Sequence, residues 1–333
     1  MPRTTYLLLF PALALLLSFA GRGTELAFGP VPGTTLEKKG TGFLTLSMRS
    51  LSMTVGGEVM DLDAPDTTFS TSRGVELSDT YGKREGGRLA AFERSYERLA
   101  ETRTVEGSPN LHDVTKLTSP LEGARVAFAW NAAEERYDAA FADADEERDA
   151  ELLEDLDGKL DYDHLLPKGE VSKGDSWTLR VDEVDDLVSL GGELHFESET
   201  EDTEQEDLLF EQAMGDNLAG EMTCTFAGLR EVDGRELAAV TLALAATGFA
   251  EDDSDAAGLV SRRSLTVELE LEGELLWDPA GRHLASFELG GKVDVTRSES
   301  SASEAGGDAA DRDLVLVFDG ELTMRLTARP ADS

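Results

Sequence analysis

One cysteine, Cys224, stands in 333 residues. No internal disulfide can form, so the fold must be held by its core. Cys224 shares strand parity with Met222 and Phe226 in the run MTCTF and reads as a small buried apolar side chain. No histidine lies near it in sequence, so nothing there would activate a thiol. Histidine is scarce as well: His112, His164, His195 and His283 are scattered. His195, in the run HFE, has no second ligand nearby and reads as a strand residue. The sequence contains no H-E-x-x-H, no G-x-S-x-G, no G-x-x-x-x-G-K-[ST] and no G-x-G-x-x-G after a strand. These absences remove the usual zinc-protease, serine-hydrolase and nucleotide-cradling readings.

Basic residues are few, 30 Lys and Arg against 68 Asp and Glu, for a net charge of −38. Such a surface repels phosphate backbones and anionic head groups, so nucleic acid and acidic membranes are poor partners. It suits a salty medium, loosely held calcium or magnesium, or a cationic partner.

Long apolar runs are confined to the N-terminus. Arg3 precedes an apolar stretch from Tyr6 to Phe19, and Ser18 and Ala20 are the small residues at the −3 and −1 positions of a cleavage site. Residues 1–20 therefore read as a signal peptide cut after Ala20, since the run is short of the ~20 residues a spanning helix needs. No cysteine near Ala20 could carry a lipid anchor. The expectation is an exported protein, periplasmic or extracellular, with no integral membrane segment after cleavage.

What the sequence has in abundance is alternation. In LTVELELEGELLW (265–277), Leu265, Val267, Leu269, Leu271, Leu275 and Trp277 take one parity, and Thr266, Glu268, Glu270, Glu272 and Glu274 the other. Only an extended strand sorts those sets to opposite faces. After the turn residues Asp278, Pro279, Ala280 and Gly281, the parity resumes with Ala285, Phe287, Leu289, Val293 and Val295. That is an antiparallel hairpin. Opposed numbers summing to about 560 would set Leu271 against Leu289, Val267 against Val293, Gly273 under Phe287, Lys292 against Glu268 and Glu288 against Glu272. The glutamate row reads as a solvated face, which also discourages stacking of sheets.

A second hairpin centres on Asp233 and Gly234, a pair suited to a turn with positive φ at both positions. Val240, Leu242 and Leu244 can meet Phe226, Cys224 and Met222 only if the first strand carries an extra residue, and Gly228 marks the bulge. The segment 40–61 shifts parity between Met48 and Leu51, which also predicts a bulge. Residues 88–100 fit a helical stripe through Leu89, Phe92, Tyr96 and Leu99, but GGRLAAF resembles DGRELAAV at 233–240 and favours a strand. The last run, LVLVFDGELTMRL, keeps Leu314, Leu316, Phe318, Leu322, Met324 and Leu326 on one face.

Three short helices are expected to interrupt the strands. The first lies near 145–157, with Asp143 as cap, Leu152, Leu153 and Leu156 as its buried edge and Gly158 as its stop; the second is 203–215; the third lies around Val184 and Leu187. Segments 197–207, 251–255 and 298–313 read as polar loops. The fold class is mainly β: long antiparallel strands in curved sheets with two or three short helices, arranged as two similar β-rich halves, 21–166 and 167–333.

The run DLDGKLDYDH clusters Asp155, Asp157, Asp161 and Asp163 around a glycine, and calcium is the ion such oxygens would hold. A helix-loop-helix calcium loop centred on Gly158 would need acids where Leu153 and His164 stand, so these four acids are only a candidate metal site. No catalytic residue and no other cofactor is indicated.

The stretches SPLEGARVAFAW (119–130) and LLPKGEVSKGDSW (165–177) together resemble a pattern in uncharacterised secreted bacterial β-rich proteins. The resemblance rests on Gly174, Asp175 and Trp177, covers the middle third of the chain, and implies only an exported β-rich protein with no activity to transfer. Physically, the segment is a turn feeding a strand, with Trp177 packed inward. The function expected from the sequence is a non-catalytic exported protein that binds an apolar ligand in a curved sheet or serves as an envelope scaffold, with an envelope protein as its other partner class. The alternatives are a hydrolase with acids such as Asp161 and Asp175 at the junction of the halves, and a calcium-stabilised adhesion module.

Overall fold

The computed structural model describes residues 23–331 apart from 87, 108–110, 144–147, 155, 157, 159–160, 184–189, 193, 199–207, 216, 257–258 and 304–311. The signal segment 1–20 lies outside the described residues. In chain order the strands are β1 (Thr24–Glu25), β2 (Thr35–Val55), β3 (Glu58–Leu62), β4 (Thr67–Tyr81), β5 (Arg84–Glu85), β6 (Arg88–Leu89), β7 (Ala91–Gly107), β8 (Leu111–Thr118), β9 (Arg125–Asn131), β10 (Arg136–Phe141), β11 (Glu170–Val171), β12 (Ser176–Arg180), β13 (Glu197–Ser198), β14 (Leu218–Val232), β15 (Arg235–Ala256), β16 (Leu259–Asp278), β17 (His283–Ser303) and β18 (Arg312–Pro330).

Fourteen of them build one sheet in the order β10-β9-β7-β4-β2-β18-β17-β16-β15-β14-β12, with β3 on β2, β8 on β7 and β13 on β8. Every pairing is antiparallel. Residues 21–166 and 167–333 meet where β2 pairs with β18, from Leu36 against Pro330 to Val55 against Arg312, where β8 pairs with β13, and where β1 pairs with β11.

The fold class expected from the sequence is the one observed, and parity is why. On β16, Leu265, Val267, Leu269, Leu271, Leu275 and Trp277 are buried, while Glu268, Glu270 and Glu272 are exposed. The sheet curls about the apolar face. The ring of Phe28 lies 5.8 Å from that of Tyr81 on β4 and 6.4 Å from that of Trp277 on β16. On a flat sheet those two strands stand four spacings of about 4.8 Å apart, too far for one ring to touch both.

Three irregularities fall where the parity demanded them. Phe226, Cys224 and Met222 face Val240, Leu242 and Leu244, with a bulge between Phe226 and Gly228; Asp233 (φ 51) and Gly234 (φ 75) make the turn. The register of β2 on β18 shifts at Val317 and Phe318, which leaves Arg49 unpaired between Met48 and Ser50. Residues 91–107 are strand β7 throughout.

Other expectations are corrected. The β16–β17 register is two residues away from that read in the sequence: Leu271 faces Gly291, Leu269 faces Val293, Gly273 faces Leu289, Lys292 faces Glu270, and Glu288 faces Glu274. Alternation fixes which face a residue takes but is unchanged by a slip of two. The turn supplies the difference: Asp278 pairs with His283, Arg282 donates its N–H to the Asp278 carbonyl at 2.7 Å, and a bulge follows at Ala285.

Segments 251–255 and 298–303 are not loops but strand ends. Arg262 and Arg263 of β16 pair across the ladder with Asp253 and Asp252 of β15, so charge complementarity carries the sheet beyond its apolar stretch.

The helix near 145–157 is, among the described residues, one 3₁₀ turn over Ala150–Leu153, capped by Asp149 rather than Asp143. Further 3₁₀ turns cover Asp163–Leu165 and Val181–Glu183; residues 184–189 of the third expected helix lie outside the described residues. The second expected helix is α1 (Leu208–Met214), closed by the Gly215 N–H on the Glu211 carbonyl at 2.8 Å. It seats on bare backbone: a Cβ at Gly248 of β15 would collide with the carbonyl of Ala213. Bracing of this kind needs glycine.

Candidate functional site

The inner face has two ends of opposite character. At the closed end, where β2 begins and β4 finishes, the strands place three charged residues inside apolar rows: Lys38 between Leu36 and Gly40, Asp79 between Leu77 and Tyr81, and Arg94 between Phe92 and Tyr96. Arg94 grips Asp79 in a fork, Nε to Oδ1 at 2.7 Å and Nη2 to Oδ2 at 3.0 Å. Lys38 Nζ bonds Asp79 Oδ2 at 2.7 Å and Asp161 Oδ1 at 2.8 Å, and Tyr81 donates its hydroxyl to the same Asp161 oxygen at 2.7 Å.

Two cations and two carboxylates thus balance inside the core. The Lys38, Asp79 and Arg94 side chains have no exposure at all. Burial alone would raise the Asp79 pKa, but Arg94 and Lys38 outweigh it and hold the carboxyl at about 2. Burial, with Asp161 and Asp79 alongside, pushes the Tyr81 hydroxyl well above its ordinary value. It stays neutral and serves as a donor.

This cluster fastens a cover to the sheet. Asp161 arrives on the segment 161–166, where Tyr162 (φ 50) stacks its ring on Phe287 at 4.1 Å and Leu165 is fully buried. The Leu165 carbonyl accepts the Trp177 indole N–H at 3.0 Å. Leu190 packs over Gly40 and Gly42, and the Arg73 guanidinium lies 4.8 Å from the Phe196 ring.

Past Arg73 the inner face opens. The rows read across β18, β2 and β4 or β3 as Gly320, Leu46 and Phe69; Leu316, Leu51 and Leu62; Leu314, Met53 and Met60. Phe69, Met60 and Leu62 are 38%, 37% and 39% exposed, and the apolar members of these rows on β2 and β18 are half-buried.

Charged pairs flank this apolar floor. On one side Arg73 Nε and Arg103 Nε bond the two oxygens of Glu101 at 2.8 and 2.7 Å. On the other, Arg297 pairs with Glu299 and Arg263 with Asp252.

No family model and no curated protein matches this sequence. Among solved structures the chain is similar to "Crystal structure of the COG4313 outer membrane channel from Pseudomonas putida F1", at 9% identity over 92% of this chain and 98% of that one, with a TM-score of 0.21. A likeness of that size carries no argument. The molecule itself speaks about lipid: Glu268, Glu270 and Glu272 are exposed on the outer face of its central strands, where a membrane barrel presents an apolar band. Among the described residues no helix is long and apolar enough to cross a membrane.

Of the four candidate calcium ligands, Asp155 and Asp157 lie outside the described residues. Asp161 is committed to Lys38 and Tyr81. Asp163 opens the 3₁₀ turn and, with Asp161, helps burial raise the Tyr137 hydroxyl to about 12. No group of three His, Cys, Asp or Glu able to hold a metal occurs among the described residues.

Asp175, the other acid of the hydrolase reading, accepts the Ser172 N–H at 2.8 Å within its own turn. His195 is not in a strand: it sits at φ 49, and its buried Nε2 has no partner among the described residues. Cys224 is buried, which pushes its thiol up to about 12. Sequence reasoning missed Lys38, Asp79 and Arg94. The available signal was a charge in the apolar parity of three separate strands.

Proposed function

We propose that the protein is an exported, non-catalytic β-rich binder that holds an apolar ligand against the open end of its inner face. The observation that carries this reading is the exposure of Phe69, Met60 and Leu62 beside Leu51, Met53 and Leu316 on one continuous face. A chain with a net charge of −38 has ample polar surface, so a contiguous apolar floor in a concavity favours binding. The buried charges of the closed end support the non-catalytic part, because each is bonded to another and lies beneath the cover. Export rests on residues 1–20.

The test is a titration of the mature chain with the uncharged dye Nile red. Wild type is expected to bind it, and Met53→Glu and Leu51→Glu to weaken binding by about tenfold or more, because each puts a charge on the apolar floor. Glu270→Gln, on the outer face, should leave it unchanged. Equal binding by wild type and Met53→Glu would end the reading. Mass spectrometry of the exported protein should find a chain beginning at Gly21; a full-length mass would remove the export.

A further inference from the structure

The apolar floor has an edge where carboxylates stand without cations, and that edge selects the head group of a ligand. The transverse row through Leu46 and Phe69 continues over Val105 of β7 to Asp113 of β8. Leu111 has the parity of Asp113 and takes the same face; it is 47% exposed and lies against Gly107. Where β3 leads into β4, Asp63 follows Leu62 and Asp66 precedes Thr67. Asp63, Asp66 and Asp113 are exposed, and their side chains have no hydrogen bond or ion pair with another described residue.

The cations of this face are engaged elsewhere. Arg73 and Arg103 are bound to Glu101, Arg297 to Glu299 and Arg263 to Asp252. Arg312 stands at the far end of the floor, in one row with Val55 and Glu58. His112 and Lys116 of β8 have the opposite parity from Asp113 and take the outer face. The connections 108–110 (β7 to β8), 199–207 (β13 to α1), 257–258 (β15 to β16) and 304–311 (β17 to β18) lie outside the described residues, but their sequence contains no lysine, arginine or histidine. None of them can supply a neutralising cation.

From the acidic edge the apolar rows run outward to Met53 and Met60, about 23 Å from Leu46 at ~3.3 Å per residue. Resting on the binding function proposed above, we infer that the ligand is a cationic amphiphile, its long apolar chain on the floor of β2, β3 and β18 and its ammonium head at the edge that carries Asp63, Asp66 and Asp113. The floor is the site; the acids choose among the chains that fit it. The net charge of −38 adds a longer-range attraction for a cation and repels an anionic chain of the same length. A second copy of this protein would bring the same carboxylates against the same edge.

The test compares ligands before it compares variants, so it does not depend on a variant folding. Oleylamine, oleyl alcohol and oleate share a chain and carry a cationic, a neutral and an anionic head at neutral pH. Wild type at low salt is expected to release Nile red to oleylamine at a concentration about fivefold below that needed with oleyl alcohol, the joint effect of three weak exposed pairs. Oleate should need more than either. The preference should fade in about 1 M salt, where the screening length is about 3 Å.

The double variant Asp66→Asn/Asp113→Asn should lose most of the preference and change oleyl alcohol binding by less than about twofold, since the floor is untouched. Glu268→Gln/Glu270→Gln removes the same charge from the outer face and should preserve the preference. Equal binding of oleylamine and oleyl alcohol by wild type, a preference for oleate, or an equal loss of preference in the two double variants would overturn the head-group assignment while the apolar site stands. Binding of Nile red with no displacement by any of the three would assign the floor to another occupant and overturn the inference. Failure of wild type to bind even Nile red would remove the site itself.

Discussion

The two ends of the inner face are made from the same strands and by the same alternation, yet one is sealed and the other is not. At the closed end β2 contributes Leu36, Lys38 and Gly40, all buried; at the open end the same strand contributes Leu46, Leu51 and Met53, all half-buried. What separates them is the cover. Among the described residues, segments 161–166, 190–192 and 194–196 cover the sheet as far as Arg73, where the Phe196 ring rests. Burial in this protein is therefore decided less by strand sequence than by which connection returns over the strand. An apolar row is core where a described segment lies on it and stays half-exposed where none does.

That comparison can be broken most sharply at its charged member. Asp79→Leu leaves Lys38 and Arg94 buried without a carboxylate between them, and should cost about 3–5 kcal/mol of unfolding free energy, read from urea melts. A loss no larger than that of an open-end substitution would mean that the cluster does not distinguish the ends. Next comes Leu271→Ala, at a site only 1% exposed, with an expected cost of about 2–5 kcal/mol from lost burial and the cavity left behind.

Acid gives a third measure. The Asp79 carboxyl is held at about 2 in the fold against an ordinary value of 3.8, so the unfolded chain takes up that proton first as pH falls. The group's contribution, about 2 kcal/mol, is present at neutral pH and lost as pH falls from about 4 toward 2. The stability gap between wild type and Asp79→Asn should shrink by that amount across the window; a gap independent of pH would place the stabilisation elsewhere. The smallest effect is expected at the open end, where Leu51→Ala should cost under about 1 kcal/mol because the side chain is only half-buried. A loss as large as that of Leu271→Ala would show the floor to be covered core.

The strands were legible because their information is local. Asp233 and Gly234 name their own turn, and the parity jump between Phe226 and Val240 announces the bulge before Gly228. Residues 251–256 were not legible as strand, because what extends them is the partner: Asp252 and Asp253 look like loop until Arg263 and Arg262 stand opposite. The β16–β17 register escaped for a different reason. The bulge at Ala285 lies where small residues hide it, and alternation is blind to a slip of two.

The candidate floor was legible in outline, since Leu314, Leu316 and Phe318 share a face in the bare sequence. Its openness was not, because exposure depends on how far the covering segments extend. The buried cluster joins Lys38, Asp79, Arg94 and Asp161 from four separate segments, so no window along the chain contains it. Its trace was a lysine, an aspartate and an arginine standing in rows otherwise apolar.

The pairing of β2 with β18 also sets a timetable. The hairpins from β14 to β18 join neighbours in the chain, and each can zip as soon as its second strand exists. The long edge of β2 has no such neighbour on that side: Leu36 waits for Pro330, and Lys38 for Ala328. Contacts of such separation are entropically late. A chain delivered N-terminus first therefore holds half of its sheet with an unzipped seam until β18 arrives, and the molecule closes in its middle only then.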